Sequence, residues 1–264
     1  MSMRKIIKFF LRYFFKHPMY CMTYCIAYFQ RDFTFRTTFL SEDQVRFQLQ
    51  KGKSIIRLGD GEINLLLDIK NHYQEPSVVL KSMLKEIILS YSSSSRFILS
   101  VPRFIGYSND ELKNIRKFNV WLPFKAMFFL LFPKKVSYMD AHNFYYDGYF
   151  EKIIKDCATD KLIFIITKKE TLEKHKNNTT VPWGRTVYIE TPESNALSRY
   201  DTIKNELNNK LLGVDSRSVL LLVAIGPIGK YLVYEYASKG YQGIDVGKGI
   251  ETMFTSESIE HLSI

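Results

Sequence analysis

Short apolar runs alternate with longer amphipathic segments along most of this chain. Runs rich in β-branched residues and bounded by polar or turn-forming residues predict strands, and these cover 54–58, 96–101, 136–141, 162–167, 187–191 and 219–225. Apolar residues at helical spacing predict helices over 39–51, 80–90, 110–132, 145–157, 193–212 and 229–239. Ser41 is expected to cap the first of these helices. Pro123 is expected to break the third.

This alternation predicts an α/β fold. Strands separated by helical segments favour a Rossmann-like, largely parallel sheet with helices on both faces. The chain shows no internal repeat and no low-complexity linker, so residues 39–264 are interpreted as one domain. Residues 1–38 are interpreted as a helical, amphipathic extension of that domain.

The charge distribution narrows the choice of partners. The net charge is +10, and residues 1–36 contain seven Lys and Arg against one Asp, so they supply +6 of it. A nucleic-acid-binding protein would be expected to spread basic residues over a binding face, so no nucleic-acid partner is predicted. The three cysteines match no zinc pattern and are predicted to be reduced thiols.

The basic extension is also rich in aromatic residues. Its longest uncharged run, 18–30, is too short to span a bilayer, and no signal-peptide cleavage site follows it. Interleaved basic and aromatic residues fit a helix in the interface of an anionic membrane. These features predict a cytoplasmic protein that is peripheral on the inner face of the plasma membrane. The alternative is a helix packed on the domain with its charges in solvent.

The segment 54–62, Ser-Ile-Ile-Arg-Leu-Gly-Asp-Gly-Glu, is the strongest candidate for chemistry. It predicts a strand, a tight loop and a helix, which places Asp60 and Glu62 at the carboxyl end of a buried strand, where open α/β sheets bind ligands. Gly59 and Gly61 would let a phosphate or metal approach the backbone. Arg57 would pair with a phosphate or hold a carboxylate. The alternative is a simple strand-to-helix turn with Asp60 as the helix N-cap.

Three motifs in order resemble bacterial GT-D-type glycosyltransferases. The first is Arg57-x-Gly59-Asp60-Gly61-Glu62, and the second is the segment 191–203, beginning Thr-Pro-Glu-Ser-Asn-Ala. The third combines the apolar run that ends in Gly226-Pro227 with Gly240-Tyr-Gln-Gly-Ile-Asp-Val-Gly247. The likeness extends from about residue 54 to about residue 251 and implies that 39–264 is a GT-D-like catalytic domain.

The resemblance also implies roles for individual residues. Asp60 and Glu62 would be catalytic residues that hold a divalent cation, Mn²⁺ or Mg²⁺, on the diphosphate of a nucleotide sugar. Glu251 is the best remaining acid for a general base at the acceptor hydroxyl. Contacts with the nucleotide sugar are expected from Arg57, Gly59, Gly61, Ser194, Asn195, Gly226, Pro227, Asp245, Gly247 and Lys248.

The chain departs from the family pattern at two places. Lys248 stands where the family usually has a His, and its positive charge could replace a metal at the diphosphate. The strand at 162–167 is predicted to be followed by the loop Lys168-Lys169-Glu170, where the family has a loop that contains Ser-Arg-Gly.

The resulting prediction is a metal-assisted glycosyltransferase. It would move a sugar from a nucleoside diphosphate sugar, such as a UDP-sugar, to a surface polysaccharide or another glycan, which could be lipid-linked. One alternative is a non-catalytic, glycosyltransferase-like scaffold of a membrane glycan-assembly complex. Another is a nucleotide-using transferase that moves a phosphoryl or acyl group.

Overall fold

The fold is taken from a computed structural model, which describes residues 18, 21–23, 25, 38–71, 73–141, 149–177, 185–247 and 249–252. Most of the extension predicted over 1–38, including its predicted contact with a membrane, therefore lies outside the described residues. In the described part of the chain, no helix has both the length and the apolarity needed to cross a membrane.

The described residues form one eight-stranded sheet in which every neighbouring pair is parallel. This confirms the predicted Rossmann-like α/β fold. The strands are β1 (Thr38–Phe39), β2 (Ser54–Arg57), β3 (Phe97–Val101), β4 (Ser137–Asp140), β5 (Leu162–Lys168), β6 (Thr186–Thr191), β7 (Val219–Ala224) and β8 (Gln242–Asp245). Their order across the sheet is β1-β4-β3-β2-β8-β7-β5-β6.

Helices connect most of these strands. In chain order from residue 38 they are α1 (Glu42–Gln50), α2 (Asp60–Leu66), α3 (Val78–Ser90), α4 (Asn109–Asn114), α5 (Phe118–Leu131), α6 (Tyr149–Ala158), α7 (Lys169–Asn177), α8 (Tyr200–Leu211), α9 (Pro227–Ser238) and α10 (Gly249–Thr252). Short 3₁₀ turns cover Arg103–Gly106, Ala196–Arg199 and Ser216–Ser218. Ser41 caps α1 as expected, in a capping box with Gln44.

Two apolar clusters cover the two faces of the sheet. Successive strand residues alternate between them: Leu221 belongs to one cluster, whereas Leu220 and Leu222 belong to the other. Residues of α2, α3, α4, α5, α8 and α9 join the first cluster, and residues of α1, α6, α7 and α10 join the second. Burial on both faces explains why β5 and β7 are almost continuously apolar.

The helix predicted over 110–132 is two helices, and Pro123 does not break it. Pro123 lies inside α5, whereas the break falls at Arg116, whose φ of 57° is left-handed. The amide N–H of Arg116 donates to the Lys113 carbonyl, and that of Lys117 donates to the Leu112 carbonyl. These two bonds form a Schellman closure in which Arg116 takes the position usually held by glycine.

Two further expectations are corrected. Lys168 ends β5 and Lys169 begins α7 directly, so the segment read as a loop is the start of a helix. The helix after β2 is capped at Gly59, and Asp60 is its first residue instead of its cap. The short edge strand β1 was not predicted.

The topology places a crevice between β2 and β8. These two strands are neighbours, yet α2, which follows β2, packs on one face of the sheet, whereas α10, which follows β8, packs on the other. Segments that leave adjacent strand ends toward opposite faces open a crevice, where α/β proteins bind their ligands.

Candidate functional site

Four charged side chains meet where β2 and β8 end. Arg57 is the last residue of β2, Asp245 the last of β8, Glu62 lies in α2 and Lys230 in α9. Each is at most 9% exposed. Burial of a charge is unfavourable unless the charge is paired, and this group, called here the buried quartet, contains two cations and two carboxylates.

Lys230 is the centre of the buried quartet. Its Nζ lies 3.3 Å from Oε1 of Glu62 and 3.2 Å from Oδ2 of Asp245. The same Asp245 oxygen accepts from the backbone N–H of Arg57 at 3.2 Å and lies 3.7 Å from Arg57 Nε. The quartet therefore connects α2, β2, β8 and α9.

The ion-pair partners of Lys230 stabilise its positive charge. Burial on its own lowers the pKa of a lysine, but the carboxylates of Asp245 and Glu62 outweigh burial and the repulsion from Arg57, so the pKa of Lys230 is raised. Lys230 is therefore an ammonium ion throughout the neutral range.

Asp60 and Glu62 have different surroundings. Glu62 turns back toward the helix start, where its Oε2 accepts from the N–H of Gly59 at 2.8 Å while its other oxygen faces Lys230. Asp60 is exposed and has no ion-pair partner among the described residues. The positive end of α2 favours its negative charge.

The turn before α9 combines an unusual backbone with a helix start. Gly226 has φ 67° and ψ −150°, a region open essentially to glycine alone. Pro227 occupies the first position of α9, which suits its fixed φ and missing N–H. Lys230 Nζ lies 3.5 Å from the Gly226 carbonyl oxygen, so this turn borders the buried quartet.

The segment around residue 195 meets the site through a loop. Ser194 and Asn195 are exposed, and Oδ1 of Asn195 accepts from the N–H of Glu75 at 3.2 Å. On its other side the loop reaches α2, because Asn71 donates to the Gly61 carbonyl at 3.4 Å. The described residues 71 and 73–76, called here the bridging loop, thus join two predicted site segments.

The last predicted segment is described in part. Gly247 follows β8 with a φ of 49°, and α10 begins two residues later. Lys248 and the side chain of Glu251 lie outside what the structure describes, so their predicted roles stay predictions.

The carboxylates of the site are the candidate ligands for a divalent cation. Among the described residues, no group of three or more His, Cys, Asp or Glu side chains is placed to hold a metal ion. Mg²⁺, however, is commonly held by one or two carboxylates together with substrate phosphates. The exposed carboxylate of Asp60 fits that mode, whereas Glu62 is paired with Lys230.

Lys230 and the bridging loop were missed as site elements. Lys230 received no role, although a lysine in the first turn of an apolar helix that follows a buried strand indicates a positive charge near the end of that strand. A second pair on the same sheet edge, Arg103 Nε to Asp140 Oδ2 at 3.0 Å, was also unassigned.

A separate cavity of about 950 Å³ opens at the opposite edge of the sheet. It is lined by residues at the start of β5 and β7, with Lys155, Lys161 and Arg185 among them. It lies at the amino ends of strands whose carboxyl ends form the edge that carries the quartet, so it is distinct from this site.

Sequence comparison associates the chain with sugar transfer. The family model described as "Glycosyltransferase GT-D fold" matches residues 55–253. The chain is 29% identical over 227 residues to a protein named "Probable glycosyl transferase Gly" from Streptococcus gordonii, which covers 79% of this chain and 31% of that protein. The chain thus spans about a third of that relative's length.

Solved structures share the fold. A structure described as "A New Glycosyltransferase (DUF1792) from Streptococcus sanguinis" superposes with a TM-score of 0.67 at 25% identity, over 80% of this chain and 81% of that one. Another, described as a domain of unknown function 1792 with "a distinct glycosyltransferase fold", gives 0.65 at 23% identity, over 87% and 82%.

Proposed function

Because this chain belongs to the GT-D-fold family of glycosyltransferases, we propose that it transfers a sugar from a nucleoside diphosphate sugar, with UDP as the first nucleotide to test. The acceptor is proposed to be a growing glycan, such as a surface polysaccharide. The observation that supports a diphosphate donor most strongly is the combination of Lys230, Arg57 and the start of α9 at one crevice. Backbone N–H groups and the positive end of a helix are a common phosphate site.

The roles of the charged residues follow from their pairing. Lys230 and Arg57 keep the carboxylates of Glu62 and Asp245 from repelling an incoming diphosphate. Pre-positioned positive groups also stabilise the negative charge that builds on a leaving diphosphate. The N–H groups at the start of α9 are proposed to hold the phosphate oxygens in position.

The formal charges favour an additional cation. The buried quartet sums to zero and Asp60 adds one negative charge, so a diphosphate would meet a site without net positive charge. We propose that Asp60 holds a Mn²⁺ or Mg²⁺ ion that arrives with the nucleotide. When bound, that ion would neutralise charge on the leaving diphosphate. Lys248 is the alternative source of positive charge.

Nucleotide binding is the first test. The melting temperature would be measured with UDP, GDP and CMP, each with and without Mn²⁺, for the wild type and for Asp60→Asn. A ligand at about 100 times its dissociation constant stabilises by about 2.7 kcal/mol. The matched control is Asp68→Asn, an exposed aspartate just after α2 that pairs with Lys81.

The expected result is stabilisation by one nucleotide that requires Mn²⁺, is lost in Asp60→Asn and persists in Asp68→Asn. Metal-independent binding would refute the role of Asp60 and point to Lys248. No response to any nucleotide would refute the proposed donor.

Turnover separates the enzyme from a scaffold. A glycosyltransferase is expected to hydrolyse its donor slowly in the absence of acceptor, and a non-catalytic scaffold would release no free sugar. A phosphoryl or acyl transferase would leave the nucleotide sugar intact and consume a different donor.

Membrane attachment is proposed for residues 1–36, whose net charge is +6. Each basic residue near an anionic surface contributes about 1 kcal/mol, and salt screens this attraction. The full chain is expected to sediment with vesicles that contain phosphatidylglycerol at low salt and to dissociate at 0.5 M NaCl, because salt shortens the distance over which the opposite charges attract. Equal binding to neutral phosphatidylcholine vesicles would refute an electrostatic attachment.

A further inference from the structure

The bridging loop holds an aromatic ring at the edge of the site. Tyr73 is 44% exposed, and among the described residues its ring and hydroxyl contact no aromatic or hydrogen-bonding partner. An aromatic ring offers a large apolar face together with specific stacking geometry, so an exposed ring beside a polar site can meet a flat ligand group.

The backbone of Tyr73 is fixed on both sides. Its N–H donates to Oδ1 of Asn71 at 2.9 Å, and its carbonyl accepts from the N–H of Asn195 at 2.8 Å. Asn71 in turn contacts Gly61, next to Asp60. The ring is thus attached to a rigid backbone although it is itself exposed, so little order has to be gained when a ligand binds.

Tyr73 also lies beside the proposed phosphate turn. A Cβ atom built on Gly226 would be 3.5 Å from the Cβ of Tyr73. The ring is therefore attached to the backbone next to the first turn of α9, where the diphosphate is proposed to bind.

We propose that Tyr73 stacks on the nucleobase of the donor. This inference rests on the proposed function, because it requires a nucleotide at the α9 turn. Stacking of a base on an aromatic ring contributes an amount that corresponds to about 5- to 150-fold in affinity. It tolerates different bases because every base presents a π-face, so Tyr73 supplies affinity for a nucleotide and not the choice among bases.

The test compares ligands with and without a base. Dissociation constants for UDP and for inorganic pyrophosphate would be measured by calorimetry, with Mn²⁺, for the wild type, Tyr73→Ala and Tyr73→Phe. Tyr73→Ala is expected to lower the affinity for UDP at least 5-fold and to leave the affinity for pyrophosphate unchanged. Tyr73→Phe is expected to bind both ligands like the wild type. Phe47→Ala is the control, since Phe47 is a similarly exposed aromatic residue (53%) on α1.

The outcomes separate this inference from the proposed function. If the wild type binds UDP and Tyr73→Ala binds it with the same affinity, the stacking is overturned and the proposed donor stands. An equal loss of affinity for UDP and for pyrophosphate in Tyr73→Ala also overturns the stacking. The substitution would then have disturbed the turn that binds the phosphates, and not a contact with the base. A higher KM for the acceptor with unchanged UDP affinity would assign the ring to the acceptor sugar instead. If the wild type binds no nucleotide, both proposals fail.

A spectroscopic measurement gives an independent reading. In Tyr73→Trp, the new indole would stack on the base, and its fluorescence is expected to be quenched as UDP saturates the site. Pyrophosphate is expected to leave the fluorescence unchanged. Quenching by both ligands would contradict direct contact with the base.

Discussion

Replacing Lys230 by methionine should be strongly destabilising, because Lys230 is the shared partner of two buried carboxylates. Its Nζ is 3.2 Å from Asp245 and 3.3 Å from Glu62. Two unit charges at such a distance attract by about 5 kcal/mol at an effective dielectric constant of about 20. Removal of one partner from a buried ion pair typically costs about 3–5 kcal/mol, and we expect Lys230→Met to lose that amount.

The loss should depend on pH in a defined direction. In the wild type the raised pKa of Lys230 makes its contribution fully present below the unfolded value of 10.5 and lost only at higher pH. Lys230→Met removes that contribution at every pH. The deficit of the variant should therefore be constant around neutral pH and shrink only above about pH 10.5, where the wild type itself begins to lose the ammonium charge.

Urea unfolding of the wild type, Lys230→Met, Glu62→Gln and the double variant would measure these effects. Glu62→Gln should recover part of the loss in the Lys230→Met background, giving a coupling energy of about 2 kcal/mol. Lys210→Met is the matched control, because Lys210 pairs with Glu206 at 3.7 Å on the surface and should cost below about 1 kcal/mol. A loss under about 1 kcal/mol in Lys230→Met, or additive effects in the double variant, would refute the reasoning.

Three further predictions follow from the packing. Gly229→Ala should lower the stability of the fold by about 1–3 kcal/mol and lower the affinity for UDP, because its Cβ would meet side-chain atoms of Ile225 and Val223 at 2.9 Å; a variant as stable as the wild type would contradict this packing. Arg116→Gly should gain about 0.5 kcal/mol in urea unfolding, since glycine adopts the left-handed φ of 57° without strain; a loss would show that the arginine side chain stabilises the turn. Burial raises the pKa of Cys157 to about 11, so iodoacetamide at pH 8 should leave Cys157 unmodified in the folded chain and alkylate it in urea, as mass spectrometry would show; rapid alkylation of the folded chain would contradict its burial.

The sequence predicted the elements better than their ends. Strand and helix positions follow from local apolar periodicity, so β5, β7 and α9 lie close to their predicted ranges. The error over 110–132 arose because proline is a weaker signal than tertiary packing. Pro123 lies within α5, which is covered on several sides by the core, whereas the break occurs at Arg116, where no glycine marks it.

The site was predicted as motifs but not as contacts. The resemblance indicated the segments that carry Arg57, Glu62 and Asp245, and these do meet in the structure. Which side chain pairs with which depends on strand order and on the orientation of α2 and α9, and neither is encoded in local periodicity. For that reason Lys230 had no assigned role, and Asp60 and Glu62 were given the same role although Asp60 is exposed and Glu62 is paired with Lys230.

Asp60 is where stability and ligand binding can be separated. Lys230, Glu62 and Asp245 join several elements of the fold, so their replacement lowers activity through folding as well as through chemistry. Asp60 is exposed and pairs with no cation among the described residues, so Asp60→Asn should lose only its favourable position at the start of α2, below about 1 kcal/mol. If Asp60 holds the metal of the donor complex, the same change should abolish Mn²⁺-dependent nucleotide binding with almost no change in urea unfolding. Retained Mn²⁺-dependent binding would exclude Asp60 as the ligand, and a loss of several kcal/mol would show that its carboxylate has a structural role.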